Sequence, residues 1–103
     1  MINVLIRRVI PKGADREVLT LIAQLRAEAT HTKGYISSEI VWNMENEREY
    51  VSMTKWRSPE AWQAWKESTT FRELQNKLDE KGCKTSYEKF IYPLEEYTPM
   101  PML

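Results

Sequence analysis

Cysteine, histidine and glycine are scarce in this 103-residue chain, and their scarcity removes several classes of site. Cys83 is the only cysteine, so the chain can form no internal disulfide and no zinc site built from cysteines alone. His31 is the only histidine, and the three glycines form no phosphate-binding loop. The sequence therefore gives no support for a disulfide-stapled, metal-binding or nucleotide-binding protein.

The chain also lacks an excess of charge of either sign, because 15 basic residues balance 15 acidic ones. Binding to nucleic acid depends on clustered Lys and Arg, so we expect no nucleic-acid partner. No apolar run approaches the ~20 residues of a membrane helix. The first residues do not form a secretory signal. We therefore expect a cytoplasmic protein without a membrane partner.

The composition is otherwise that of one globular domain, with 42% hydrophobic and 29% charged residues. Periodicity and turn residues predict strands and helices in the order strand, helix, strand, strand, helix, strand. The predicted ranges are 2–10, 15–30, 35–42, 49–56, 58–82 (with a break near 68–70) and 85–94. This order predicts a ferredoxin-like α+β fold, with one antiparallel four-stranded sheet and both helical layers on one face.

Local signals place the helix ends. Asp15 is predicted to cap the first helix, and Ser58 followed by Pro59 is predicted to open the second. Thr70 has capping-box spacing for a further helical piece, and Gly82 is placed to end that piece in a left-handed conformation.

The second face of the sheet needs a cover, because apolar residues fall on it too. Leu5, Val9, Val51 and Met53 are the candidates. A symmetric homodimer with two open faces packed together would bury them and would form a dimeric α+β barrel. We predict that the domain spans residues 1–95, and that the extended, proline-containing tail 96–103 contacts the partner subunit.

One segment, residues 55–71, carries a more specific pattern. A strand ends at Trp56, a helix starts with Ser58 and Ala61, Trp65 lies inside that helix, and Phe71 follows a short break. This pattern resembles the antibiotic biosynthesis monooxygenase (ABM) family, and the order of elements is similar over roughly residues 1–95. The resemblance implies the dimeric α+β barrel fold.

The resemblance also implies an activity. It suggests a cofactor-independent monooxygenase that oxidises a small aromatic or quinol-like molecule with O2, with no metal and no cofactor. Two alternatives remain open: a non-catalytic dimeric barrel that binds a small apolar ligand, and an isomerase-like enzyme of the same superfamily.

The expected pocket lies between the second helical segment and the sheet. Trp65 holds the position that family enzymes use for a pocket group, and Gln75 interrupts an apolar stripe, so both are the candidate catalytic residues. Trp62, Phe71 and Ile6 are the candidate substrate-binding residues beside them. Trp65 and Trp62 could instead simply fill the core, and Gln75 could bond only a backbone carbonyl.

Haem is not expected, although the resemblance extends to haem-degrading enzymes. Those enzymes need a histidine about one helix beyond the tryptophan and an asparagine on the first strand. Gln75 and Ile6 hold these places here, and an amide does not replace imidazole on haem iron.

Two adjacent arginines lie in the middle of the first strand. Because side chains alternate, one of Arg7 and Arg8 must point at the helices and the other at the open face. Glu39 or Glu88 on neighbouring strands could supply a carboxylate, and an intermolecular ion pair is one interpretation. The other is an anion site in the pocket, and Arg8 is the candidate substrate-binding residue.

Overall fold

The computed structural model describes residues 1–93. The predicted tail at 96–103, with its contact to a partner subunit, lies outside the described residues. None of the three helices in the described part is both long and apolar enough to span a membrane.

The described chain forms four strands and three helices, in the predicted order. They are β1 (Ile2–Val9), α1 (Asp15–Ala29), β2 (Tyr35–Asn43), β3 (Asn46–Trp56), α2 (Pro59–Lys66), α3 (Thr69–Glu80) and β4 (Lys84–Ile91). The strands pair antiparallel in the order β2-β3-β1-β4. The ferredoxin-like α+β prediction is therefore confirmed. Two bounds differ notably from the predicted ranges. β3 begins three residues earlier than predicted because the β2–β3 hairpin turns tightly at residues 44–45, and β4 ends at Ile91, short of its predicted end at residue 94.

The core lies between one face of the sheet and the helices. Every second residue of β1 is buried on this face, starting with Ile2, Val4 and Ile6. The apolar stripe of α1 packs against them, as do the aromatic residues of β3, α2 and α3. The cluster of buried hydrophobic residues includes members of this sheet face only, so the helical layer covers one side of the sheet.

Two predicted helix caps were wrong. The N-cap of α1 is Ala14, which makes no side-chain cap, and the Asp15 carboxylate instead pairs with Arg48 at 2.9 Å. The N-cap of α3 is Ser68 rather than Thr70, because the extended backbone of Ser68 lets its hydroxyl accept from the Phe71 amide.

The other two signals at helix ends were correct. Ser58 caps α2 by accepting from the Ala61 amide at 3.1 Å, with Pro59 as the first helical residue. Gly82 has a φ of +86° directly after the end of α3.

The opposite face of the sheet is partly apolar, as predicted. Leu5 and Met53 lie opposite each other on it, and Phe90 on β4 is 54% exposed. Arg7 also lies on this face and pairs with Glu88 of the same chain at 2.9 Å. This arrangement leaves apolar side chains accessible on the side of the sheet away from the helices, which we call the open face.

Gly34 is required by a close approach of two chain segments. It has a φ of +90°, and a Cβ built on it would lie 2.4 Å from the Ala61 Cβ. We expect Gly34→Ala to lower the free energy of unfolding by about 2 kcal/mol more than Gly13→Ala. Gly13 is the matched control because it has a φ of +89° and no atom of residues 1–93 lies within 4 Å of its added Cβ. Urea denaturation of the two variants measures the difference, and equal losses would contradict the steric account.

Candidate functional site

A small cavity lies between the sheet, α1 and the junction of α2 with α3. Its volume is about 30 Å³. That is room for about two water molecules. Within the described part of the chain, its lining combines aromatic, aliphatic and hydroxyl side chains with two arginines and no carboxylate. The lining residues are Ile6, Arg8, Ile22, Leu25, Arg26, Ala29, Ser52, Thr54, Trp56, Trp62, Trp65 and Phe71.

Aromatic side chains form one wall of the cavity. Trp65 and Phe71 meet edge to face with ring centroids 5.5 Å apart, and Trp62 lies 6.1 Å from the same Phe71 ring. The break between α2 and α3 brings them together, because the Ser68 hydroxyl ends one helix by donating to the Trp65 carbonyl and caps the next. The structure thus places these three predicted residues side by side on the cavity.

The floor of the cavity is the sheet. Ile6 and Arg8 reach it from β1, and Ser52 and Thr54 reach it from β3, because alternate residues of paired strands share a face. Ile6 packs there as a buried apolar residue. Ser52 lies directly opposite Ile6 in the β1–β3 register and adds a hydroxyl to the floor.

Arg8 is the unusual residue of the floor, because it is a cation that is only 3% exposed. Its Nη1 donates to Gln75 Oε1 at 2.8 Å and to Thr85 Oγ1 at 3.0 Å. Among residues 1–93 it forms no ion pair with a carboxylate. Burial lowers the pKa of the guanidinium, with Tyr87 partly opposing that shift, yet arginine keeps its proton in proteins. The floor of the cavity therefore carries a positive charge.

Gln75 does not line the cavity, contrary to expectation; it lies behind Arg8. Its Oε1 accepts from Arg8 and, at 3.3 Å, from the Tyr87 hydroxyl. Its Nε2 donates to Asp79 at 2.9 Å and to Thr85 at 3.2 Å. Both ends of the amide are engaged, so the predicted donation from Gln75 to a ligand has no geometric support. The amide orients the guanidinium.

Tyr87 belongs to the same buried group. Burial raises the pKa of its hydroxyl, and the charge of Arg8 opposes that shift. The hydroxyl therefore keeps its proton at neutral pH and can donate to Gln75. Its period-2 position on β4, two residues after Thr85, places both side chains on the face that Arg8 occupies.

Arg26 is a cavity residue that the sequence analysis missed. It comes from α1, is exposed, and therefore lies at the mouth of the cavity. Burial raises the pKa of the Tyr50 hydroxyl, and the nearby charge of Arg26 partly opposes that shift. Its position in the sequence could have indicated this, because Arg26 follows Leu25 directly and lies four residues after Ile22, at the border of the apolar stripe of α1.

His31 and Cys83 lie outside the cavity lining. His31 is exposed just after α1. Cys83 is buried, and burial raises the pKa of its thiol, so it is not an activated nucleophile. Neither residue lines the cavity. Elsewhere in residues 1–93, no three His, Cys, Asp or Glu side chains gather as they would around a metal ion.

Comparison with known proteins identifies the family of this chain. Residues 1–77 match the antibiotic biosynthesis monooxygenase family, and this is most of the chain. The chain therefore belongs to the antibiotic biosynthesis monooxygenase family, as the pattern over residues 55–71 predicted. No curated protein matches the sequence.

Several solved structures share the fold. SnoaB of Streptomyces nogalater, a cofactor-independent oxygenase, is 15% identical with a TM-score of 0.78, covering 98% of this chain and 97% of SnoaB. A conserved protein from Methanosarcina mazei Go1 is 20% identical with a TM-score of 0.77, over 86% and 89% of the two chains. A protein from Deinococcus radiodurans is 7% identical with a TM-score of 0.83, over 98% and 100%. At these identities the likeness establishes the fold.

The hydrogen bonds of Gln75 predict a cost for its removal. Gln75→Leu leaves Arg8 and Tyr87 without their shared acceptor, so we expect the free energy of unfolding to fall by about 1–3 kcal/mol. The control is Gln63→Leu, because Gln63 makes the same i,i+4 bond to Glu67 on an exposed helix face. That change should cost no more than about 0.5 kcal/mol. Denaturant unfolding compares the two, and similar losses would show that the Gln75 bonds contribute little.

Proposed function

We propose that the protein is a cofactor-independent monooxygenase that oxidises a small aromatic, phenol- or quinol-like molecule. The observation that carries the proposal is the cavity itself, in which an aromatic wall faces a buried arginine that pairs with no carboxylate of residues 1–93. Membership of the antibiotic biosynthesis monooxygenase family supports the class of reaction. The shared fold of SnoaB, a cofactor-independent oxygenase, is consistent with it.

The proposed reaction needs no electron source besides the substrate. An ionised, electron-rich phenol gives an electron to O2, and the resulting radical and superoxide combine at carbon. In an anthrone-like substrate, the methylene carbon loses two hydrogens and gains one oxygen atom as a carbonyl. The second oxygen atom leaves as water with those two hydrogens, so the step balances.

Each part of the cavity has a role in this proposal. Trp65 and Phe71 hold the substrate ring by aromatic contact, and Trp62 supports Phe71 from behind. Fixing the ring relative to O2 lowers the entropic cost of bringing the reactants together. Arg8 supplies a fixed positive charge near the oxygen that carries negative charge during the reaction.

The cavity must enlarge to accept a ring, because its volume of about 30 Å³ is far below that of a phenol-sized ligand. Arg26 at its mouth is exposed, so its side chain can move without uncovering the core. We propose that displacement of this side chain admits the substrate.

Haem does not fit the residues present. The single histidine, His31, is exposed and does not reach the cavity. Gln75, which stands where the resemblance would require the iron ligand, is fully engaged by its neighbours. No step of the proposal uses haem.

Oxygen uptake tests the proposal. We expect the protein to accelerate O2 consumption by a panel of hydroquinones and anthrone-like phenols, and Trp65→Ala to lower turnover by about 10²-fold, because the ring is no longer held. Trp42→Ala is the control, since Trp42 is 47% exposed and does not line the cavity. Ligand binding without any O2 uptake would favour the alternative of a non-catalytic binding protein. Equal turnover in both variants would remove Trp65 from the site.

We propose further that two copies of the chain pair through their open faces, as the apolar residues Leu5, Met53 and Phe90 suggest. Met53→Lys places a charge in the centre of that interface, so we expect dimer dissociation to become at least about tenfold easier. Met44→Lys is the matched control, because Met44 is fully exposed in the β2–β3 turn. Sedimentation velocity measures both. A monomeric parent chain at micromolar concentration would exclude this dimer.

A further inference from the structure

We propose that the Ser52 hydroxyl is a specificity determinant of the cavity, which binds a second oxygen substituent on the ring of an aromatic ligand. The inference deepens the proposed function, on which it rests for the class of ligand. It adds a requirement that the oxygenase proposal does not contain. The preferred ring carries oxygens on two opposite edges, one on the side of Arg8 and one on the side of Ser52.

The first support is that the Ser52 hydroxyl is unused by the fold. Ser52 is 5% exposed and lines the cavity, yet its hydroxyl forms no hydrogen bond with residues 1–93. In this part of the chain, Asn3 Oδ1 is the only completely enclosed side-chain nitrogen or oxygen without a partner. The Ser52 oxygen is therefore not sealed in the core but opens onto the cavity. Buried hydroxyls are usually bonded, so a ligand that bonds this one makes an interaction that the described chain does not supply.

The second support is the contrast with the other hydroxyl on the cavity floor. Thr54 Oγ1 accepts from Trp56 Nε1 at 3.1 Å and donates to the Val4 carbonyl at 3.3 Å. Its bonding capacity is used to hold the Trp56 ring and to tie β3 to β1. Ser52 lies two residues earlier on β3 and therefore on the same face. It is the floor hydroxyl that is left for a ligand.

The third support is the position of Ser52 relative to Arg8. β1 lies between β3 and β4 in the sheet. Arg8 directs Nη1 toward β4 and α3, where it donates to Thr85 and Gln75. Ser52 lies on the other side of β1, on β3. Neighbouring strands are about 4.8 Å apart, so the two polar groups flank the central strand from opposite sides. A ring that spans this width reaches both groups through substituents on opposite edges.

The test compares the binding of hydroquinone with that of 4-methylphenol, in which a methyl group of similar size replaces one hydroxyl. Calorimetric titration in the absence of O2 measures binding without turnover. We expect the parent to bind hydroquinone about three- to tenfold more tightly, because one hydrogen bond between neutral groups contributes about that factor. The methyl group leaves the Ser52 hydroxyl without a ligand partner.

Variants assign the preference to the hydroxyl itself. Ser52→Ala should lower the ratio of the two affinities by about three- to tenfold, chiefly by weakening hydroquinone. The change in this ratio is independent of the different hydration of the two ligands. Ser86→Ala is the matched control, because Ser86 is an exposed strand serine opposite Arg7 on the open face. It should leave the ratio unchanged. Urea unfolding of both variants shows that they are folded.

The outcomes are distinct from those of the oxygenase test. An equal ratio in the parent and in Ser52→Ala, or no measurable binding of either ligand to the parent, would overturn the role of Ser52. O2 uptake by the other phenols of the panel would still test the proposed reaction separately. A ratio that falls in Ser52→Ala, together with no O2 uptake by the parent, would support the role of Ser52 and count against the proposed reaction alone.

Discussion

Side chains alternate across β1, and the composition of both faces of the sheet depends on this alternation. Ile2, Val4 and Ile6 bury one face under the helices, and the same period directs Arg8 into that layer. Arg7, one residue earlier, points to the open face and pairs with Glu88. A shift of the strand by a single residue would exchange these two environments. The strand register therefore decides at once where the core lies, where the cavity floor lies and which arginine is buried.

Within residues 1–93, the buried Arg8 guanidinium is held by hydrogen bonds to neutral side chains and pairs with no carboxylate. Gln75, Thr85 and Tyr87 come from α3 and β4, so the network ties the last helix and the edge strand to the centre of the sheet. The structural contribution of Arg8 is therefore made by its hydrogen bonds, and its charge has the further role that we propose for it in the reaction.

The sequence predicted the fold because its signals were periodic and local. The alternation in β1, the stripe of α1, and the serine and proline at the start of α2 all agreed with one architecture. Residues 55–71 likewise placed Trp62, Trp65 and Phe71 together, since they lie on one helical segment and its break. The cap of α3 was harder to assign because Ser68 and Thr70 both carry suitable hydroxyls, and only the backbone conformation distinguishes them.

The rest of the site depends on contacts between residues far apart in the chain. Gln75 was expected at the cavity wall, but it is turned toward Arg8, 67 residues away. Arg26 looks like a surface residue of α1 until the sheet beneath it is placed. No pattern within either helix contains the position of the opposite element, so the orientation of such polar groups requires the tertiary structure.

The contact between Gly34 and Ala61 limits how the cavity can vary. The backbone entering β2 touches the first turn of α2, and the Arg57 amide donates to the Gly34 carbonyl at 2.8 Å. This contact and this hydrogen bond fix the distance between the sheet and the start of α2, the turn that precedes Trp62. Enlarging the cavity from that end would require two backbones to separate. Substituting smaller side chains for Trp65 and Phe71, next to the helix break, would enlarge the cavity for larger ligands without moving the backbone.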